Sequence, residues 1–369
     1  MDRLYLKRDQ MGRGLTCLVE KSEVMLLNLY HFLSMNPKTR GLADHETQEA
    51  SHLGLIRNFV QRKYELKEEE INEKAIRTKQ EEARFAKIKE KRMHGLLFSD
   101  DDNVIDRKDS STWLTKGNIS PQQEGMLTKL QDRNLYFGGS STKCPHCREA
   151  TMSVQHLATR CGSMLNLYYK KRHDEVVRCL HFQFTKKYGL NKNKKLKNYK
   201  VQEVLSNERV RIKSDVPIQT ELRIEFNKPD LMIHDLVTKE ITLIEVGITN
   251  KDILPTTELF KSQKYELLAN ELQCLFPGTK VTIIPVVMTW DGLVTRHFKR
   301  YMNQLQVSKR LQAYMQTVVL KKTCESILVD MRKRQDWLEE EVSQLMDQME
   351  VNPAGSEESE IVSNVNFVY

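Results

Sequence analysis

The chain has 369 residues, 39% hydrophobic and 29% charged, with seven cysteines and a formal net charge of +8. That length supports two or three domains with their own cores. Three cysteines lie close together and four are scattered, which speaks against a disulfide framework and for a reducing compartment. No apolar run approaches a membrane span, and MDRLYLKRDQ is no signal peptide. The expectation is a protein of the nucleus, with the cytoplasm as the alternative and no membrane partner.

Charge is unevenly placed. Ser140 to Asp230 holds 19 Lys/Arg against nine Asp/Glu, whereas Gln335 to Tyr369 holds nine Asp/Glu and no Lys/Arg. A basic centre points to a polyanion. The acidic tail reads as solvated surface.

In chain order, Arg3-Leu4-Tyr5 and Gly12-Arg13-Gly14-Leu15 precede an amphipathic helix carrying Val24, Leu26, Leu27, Leu29, Phe32 and Leu33, stopped by Pro37. Residues 45–92 read as one or two helices. The Glu/Lys-rich part from Lys63 to Arg92 reads as an exposed spacer held by i,i+4 ion pairs. Residues 99–112 read as an acidic loop. Phe98-Ser99-Asp100-Asp101 imitates a polymerase motif but lacks flanking apolar strands. A helix follows Pro121 and ends near Phe137, and Gly138-Gly139-Ser140-Ser141 is a hinge. Residues 163–190 are helical and Lys192–Lys200 is a basic loop. From Val201 to Thr289 the pattern turns α/β: a helix at 201–207, strands near 221–226, 231–236 and 241–248, a helix near 256–273, and a strand at 281–288. Pro285 marks that last strand as an edge or a bulge. Residues 306–348 are helical, and 351–369 read as disordered.

Two clusters carry chemistry. Cys144-x2-Cys147-x8-His156-x4-Cys161 supplies four S/N ligands, the set a structural Zn²⁺ requires. A helix starting near Ser153 would present His156 and Cys161, with His146 left towards solvent. Unliganded thiols are the alternative.

The second cluster is Pro229-Asp230 and, separated from it by fourteen residues, Glu245 within the apolar strand Ile241–Ile248. A hairpin turning at 238–240 would bring the two carboxylates face to face. A buried carboxylate is costly unless paired or metal-bound, and two oxygen donors suit Mg²⁺. A salt-bridged strand Glu is the alternative. The usual cation two residues later is absent, since Gly247 stands there. Lys261 and Lys264 follow on the next helix, and Lys264 is the preferred catalytic cation. Asp235, Asp252 and Glu203 are reserve ligands, and His234 is structural. Arg172, His173, Arg178, Lys192, Lys194, Lys195 and Lys197 are the candidate phosphate contacts.

The ordered set of motifs resembles the C-terminal part of a non-LTR retrotransposon reverse transcriptase polyprotein of the type with a restriction-like endonuclease. The likeness runs through Arg-Leu-Tyr, Gly-Arg-Gly-Leu, Trp113-Leu114-x-x-Gly117, Gln131-Asp132-Arg133, the Cys/His cluster, Arg172-His173-Asp174-x-x-Val177, and Pro229-Asp230 with Glu245. It covers roughly residues 1 to 325 and resembles only the part of such polyproteins beyond the polymerase domain, so the polymerase itself is absent. The resemblance implies an α+β or α/β multi-domain chain. Its parts would be a helical linker region at 1–137, a CCHC zinc module at 138–165 and a restriction-endonuclease-like α/β core at 166–305. C-terminal helices at 306–350 and an acidic tail at 351–369 would complete it.

The resemblance also implies an Mg²⁺-dependent DNA endonuclease that nicks double-stranded DNA, with the element's RNA as a further ligand. Asp230 and Glu245 would be its metal ligands, and its Lys-Tyr would fall on Lys264-Tyr265. The alternative is a catalytically inactive, retrotransposon-derived nucleic-acid-binding protein.

Overall fold

The computed structural model describes residues 2–41, 52–67, 71–98, 104–135, 143–144, 146–164, 169–192 and 195–328. The expected hinge at 138–141, the end of the helix near Phe137, Ser99-Asp100-Asp101, Lys194, and everything after Leu328 fall outside the described residues. The fold is mixed helix and sheet, and the chain divides into two compact units. Of the described residues, the first takes in those within 2–175, 246–261 and 285–328, and the second takes in those within 176–245 and 262–284.

In the first unit α1 (Leu18–Met35), α2 (His52–Tyr64) and α3 (Glu73–Lys89) share a small core. Val24, Leu27, Val60, Tyr64, Leu66 and Ile76 form it. Glu23 is buried there and is satisfied by Lys63, the Tyr64 hydroxyl at 2.6 Å and Gln80 at 2.9 Å. The apolar stripe expected of α1 is therefore only half used, because Leu29 and Phe32 are exposed. The expectation of an exposed spacer also needs correcting. Helix α3 buries Ile76, Gln80 and Ile88, and its Arg84 donates to the Tyr5 carbonyl at 2.7 Å. Its buried face contains polar side chains with partners, so a count of large apolar residues undervalues it.

A second core in this unit gathers Leu6, Met11, Ile88, Leu97, Phe98, Ile105, Leu254, Val287 and Leu293. Beside it Arg3 is buried, with Nε donating to the Met11 carbonyl at 2.8 Å and Nη1 to the Thr128 carbonyl at 3.1 Å. The same guanidinium pairs with Asp132 and bonds to Gln131, at the end of α4 (Pro121–Gln131). Gln131 donates to the Asp291 carbonyl at 2.6 Å, and Arg133 pairs with the Asp291 carboxylate at 2.8 Å. Gly12 is required here: a Cβ would stand 2.1 Å from the Leu6 carbonyl oxygen.

The sheet has the order β1-β2-β3-β4-β5, with β1 Val204–Ser206, β2 Val210–Ser214, β3 Leu231–Asp235, β4 Glu240–Thr249 and β5 Lys280–Thr289. The pairings β1–β2, β2–β3 and β3–β4 are antiparallel. The helix expected at 201–207 is not formed; 204–206 pair as an edge strand. Residues 221–226 hold no strand; the missed strand is β2, whose Val210 and Ile212 alternate inward with Arg211 outward. The expected helix at 256–273 is two helices, α7 (Leu254–Gln263) and α8 (Glu266–Leu275), broken at Lys264-Tyr265. Pro285 lies in β5, an edge strand, the kind of strand in which a sheet tolerates proline.

The second unit's core is Ile218, Met232, Ile241, Leu243, Tyr265, Leu268, Ala269 and Leu272. Helix α6 (Lys170–Lys187) carries His181 into this unit fully buried, with Nδ1 2.5 Å from the Tyr199 hydroxyl and Nε2 3.1 Å from the Gln202 carbonyl. That pairing makes Nε2 the protonated nitrogen and Nδ1 the acceptor of the phenol's proton. Burial pulls the His181 pKa down to about 4.

Between that value and the unfolded pKa of about 6.5 only the unfolded chain binds the proton. His181 therefore contributes stability that is present near neutrality and lost as pH falls from about 6.5 to 4, up to about 3 kcal/mol. Denaturation midpoints measured across that range should fall more steeply for the parent than for His181→Gln. Parallel curves would show that His181 is not buried in its neutral form.

Candidate functional site

The Cys/His module is built on one tight turn and one short helix. The Cys144 N–H donates to the Ala150 carbonyl and the Arg148 N–H to the Cys144 carbonyl, both at 2.8 Å, with Arg148 in the left-handed region at φ 59°. Helix α5 (Val154–Thr159) starts where expected: Ser153 caps it by accepting from the His156 N–H. Cys161 sits just beyond its end, its N–H bonded to the His156 carbonyl at 2.8 Å.

The ligand atoms of Cys144, Cys147, His156 and Cys161 all lie within 4.8 Å of one another. The Cys144 and Cys161 sulfurs are 3.8 Å apart, and the Cys147 sulfur is 3.4 Å from His156 Nε2. A tetrahedral Zn²⁺ with bonds of about 2.3 Å to sulfur and about 2.05 Å to nitrogen separates two thiolates by about 3.8 Å, and a thiolate from an imidazole by about 3.5 Å. The cluster could therefore bind zinc.

Protonation also suits a metal at two of the four ligands. Backbone N–H groups of Ala150 and Glu149 lower the Cys147 pKa, and burial lowers that of His156. Burial raises Cys161. His146 stands outside the set. The module belongs to the first unit and is anchored there by Thr159 to Asn250 at 3.0 Å and by Arg172 to the Ala158 carbonyl at 2.6 Å.

The carboxylate cluster lies in the second unit. Leu231 pairs with Ile244, and one further step of that antiparallel register sets Asp230 opposite Glu245. Asp235 closes the hairpin by accepting from the Val237 and Thr238 N–H groups at 3.0 and 3.1 Å. It is thereby occupied as a turn cap, a role its place among the reserve ligands did not foresee.

Glu245 is 3% exposed. Its Oε1 lies 2.7 Å from Lys264 Nζ, and its Oε2 lies 3.0 Å from the Tyr265 hydroxyl. That hydroxyl is also 2.8 Å from the Lys228 carbonyl. Burial and the Glu245 charge push the Tyr265 pKa up, so the phenol keeps its proton as a donor. The Lys264 ammonium stands over the Phe226 ring at 5.5 Å. Asp215, overlooked in the sequence, bonds through its N–H to the Asp230 carbonyl at 3.2 Å and pairs with Lys228 at 2.8 Å. Nothing in its local sequence distinguishes it from a loop Asp.

Lys261 is placed differently. Its Cε lies 2.8 Å and its Cδ 3.0 Å from where a Gly247 Cβ would stand, so its stem occupies the space the glycine leaves. His234 packs edge-on against Phe276 at 4.7 Å, a structural role as expected.

The candidate phosphate contacts separate into two kinds. Arg172 is 1% exposed, bonded to Ala158 and to Thr323 at 3.1 Å, which takes it off any phosphate-facing surface. Arg178 is half-buried and donates to the Leu196 carbonyl at 2.8 Å, pinning the basic loop to α6. His173 lies 3.2 Å from Asp174 and stacks on Tyr169. Lys192 and Lys195 are exposed and Lys197 is half-buried. Sequence spacing cannot show which face of α6 is inward where cations and apolar residues are interleaved this closely.

No family model matches the chain, and no curated protein matches it.

Elemental analysis of protein purified without chelators should find about one zinc per chain. Cys147→Ser should lose it and open the segment from Lys143 to Met164 to proteolysis, because such sites supply folding free energy directly. Metal-free protein with a protease-resistant module would remove zinc from the account.

Proposed function

We propose that this chain is a retrotransposon-derived, Mg²⁺-dependent DNA endonuclease of restriction-like type, with a structural zinc module. The observation that supports it most is the placement of Glu245. A carboxylate held inside an apolar strand is expensive, and this one stands in register with Asp230 and 2.7 Å from a lysine. Asp230 and Glu245 would hold the metal, since two hard oxygen donors are the ligand type Mg²⁺ selects. When bound, the ion would supply an activated water and neutralise charge on the scissile phosphate.

The protein's own part is positioning and charge. Lys264 is kept at the carboxylate by its ion pair and by the Phe226 ring, ready to stabilise charge developing on phosphate oxygens. Tyr265 orients Glu245 through its phenol. Lys192, Lys195 and Lys197 would contact the backbone of double-stranded DNA, with the element's RNA as a further ligand and the nucleus as the site of action. Among the described residues no helix is long and apolar enough to cross a membrane.

One observation favours a second reading. The Lys264 pair already satisfies Glu245, as a purely structural ion pair would. A protein that binds nucleic acid without cutting it would look the same at this point.

Plasmid DNA distinguishes the two. The parent should cut with Mg²⁺ or Mn²⁺ and not with EDTA. Asp230→Ala and Glu245→Gln should each abolish cutting while leaving DNA affinity nearly intact. Lys264→Ala should lower kcat by about 10²–10³ with Kd unchanged. Cutting by Asp230→Ala at the parent's rate would refute the site. Binding by the parent without cutting in either metal would leave the second reading.

A further inference from the structure

From Gly292 to Cys324 the sequence contains no Asp or Glu in 33 residues, while it contains seven Lys/Arg. Much of this run folds as α9 (Arg296–Gln304) and α10 (Lys309–Leu328) in the first unit. On α9 the apolar positions Phe298 and Met302 are buried, and Arg296, His297, Lys299, Arg300, Asn303 and Gln304 are exposed. Arg310, at the start of α10, and Lys108, on the helical turn Arg107–Ser110, are both exposed.

The face is held firmly. Thr295 donates to the buried Glu258 at 2.7 Å, the Val294 N–H to the Ser110 hydroxyl at 3.0 Å, and the Arg296 N–H to the Val104 carbonyl at 3.1 Å. Lys309 pairs with Asp109 at 2.8 Å, tying α10 to the same turn. Of the nearby carboxylates, Asp109 pairs with Lys309, Asp106 caps the same turn by accepting from the Asp109 N–H at 2.7 Å, and Glu258, whose pKa burial raises, lies beneath the surface within electrostatic reach of His297 and Arg300.

The charge order on α9 runs against helix stability. Its cations crowd the first half, there is no acid in its first turn and no base in its last, whereas the helix dipole favours acids first and bases last. A solvated face selected only for folding would be arranged the other way.

We propose that this face is a second contact surface for the phosphate backbone of double-stranded DNA, separate from the basic loop at Lys192–Lys200. The residues that would touch phosphate are Lys299, Arg300 and Arg310, with Arg296 and Lys108 flanking them. An anionic membrane surface fits less well, because the apolar side chains of α9 point inward and none is left to insert. Single-stranded nucleic acid wants exposed aromatic platforms, and the face offers only the half-buried Tyr301. The inference relies on the proposed function only for the identity of the polyanion, not for the metal site.

The test is duplex DNA binding by the full chain in EDTA over a salt series. Each phosphate contact contributes about −0.9 to the slope of log affinity against log salt. Lys299→Gln/Arg300→Gln/Arg310→Gln should therefore flatten the slope by about 2.7, alike on any sequence, and Lys299→Gln alone by about 0.9. Lys79→Gln/Lys87→Gln/Lys89→Gln on α3 removes the same charge from another exposed face and should leave the slope near the parent's. An unchanged slope in the first triple variant, or an equal change in the α3 control, would overturn the inference. So would a loss confined to an RNA hairpin or to phosphatidylserine vesicles. Cutting assays fail or succeed separately: if Asp230→Ala cuts normally while the slopes behave as stated, the metal site falls and this surface stands.

Discussion

A charge removed from water must find its partners inside the protein, and the architecture of the first unit is arranged around one such charge. Arg3 is 3% exposed, and its acceptors come from the Met11 carbonyl, from Thr128, Gln131 and Asp132 at the end of α4, and through Gln131 from the turn at Asp291. Arg133 closes the network on Asp291 from the other side and lies over the Trp290 ring at 5.0 Å. Three segments far apart in sequence are thereby fixed against one another. Losing one partner of such a pair leaves an uncompensated buried charge, which costs about 3–5 kcal/mol. Gly12 is part of the same device, since only a residue without Cβ lets the chain close against Leu6. The short motifs at the N-terminus and at 131–133 thus have a structural reason to occur together in one chain.

The same constraint acts in the second unit with a different result. Glu245 is buried among apolar residues and receives one ammonium and one phenol, both from the two residues at the break between α7 and α8. A continuous helix would spread positions 264 and 265 about 100° apart around its axis. The interruption lets neighbours in sequence converge on one carboxylate. Asp230, by contrast, sits at the strand's edge and is only half-buried. A buried, prepaired carboxylate thus stands beside a more accessible one, and the proposed metal site would draw on that asymmetry.

Legibility in the sequence depended on how local each signal is. The hairpin of β3 and β4 could be read from two apolar runs and the turn between them. The ligand spacing of the Cys/His module is equally local, as is the Ser153 cap. β1 was not legible, because Val204–Ser206 becomes a strand only through pairing with β2. The burial of α3 was hidden for another reason: Gln80 and Arg84 face inward with partners from α1 and Tyr5, and hydrophobic periodicity does not register a polar side chain that is satisfied inside. The Arg3 network is hidden by distance as well, since its partners Thr128, Gln131 and Asp132 lie more than 120 residues away.

Charge counting failed and succeeded in instructive ways. The excess of cations between Ser140 and Asp230 suggested one continuous grip, yet Arg172 and Arg178 serve the interior and the loop's own anchoring. A guanidinium with five donors is well suited to tying carbonyls together, so arginines in a basic region are the first to be drawn inward. Lysines, with a single strongly hydrated ammonium, stay at the surface. Among the described residues of the basic loop, Lys192, Lys195 and Lys200 are accordingly exposed and Lys197 is half-buried. The run from Gly292 to Cys324 has fewer cations but lacks any carboxylate, and α9 turns its basic residues outward as a set. An absence of acids over a long, folded stretch is the stronger electrostatic signal, because the stretch offers its own cations no carboxylate to consume their charge.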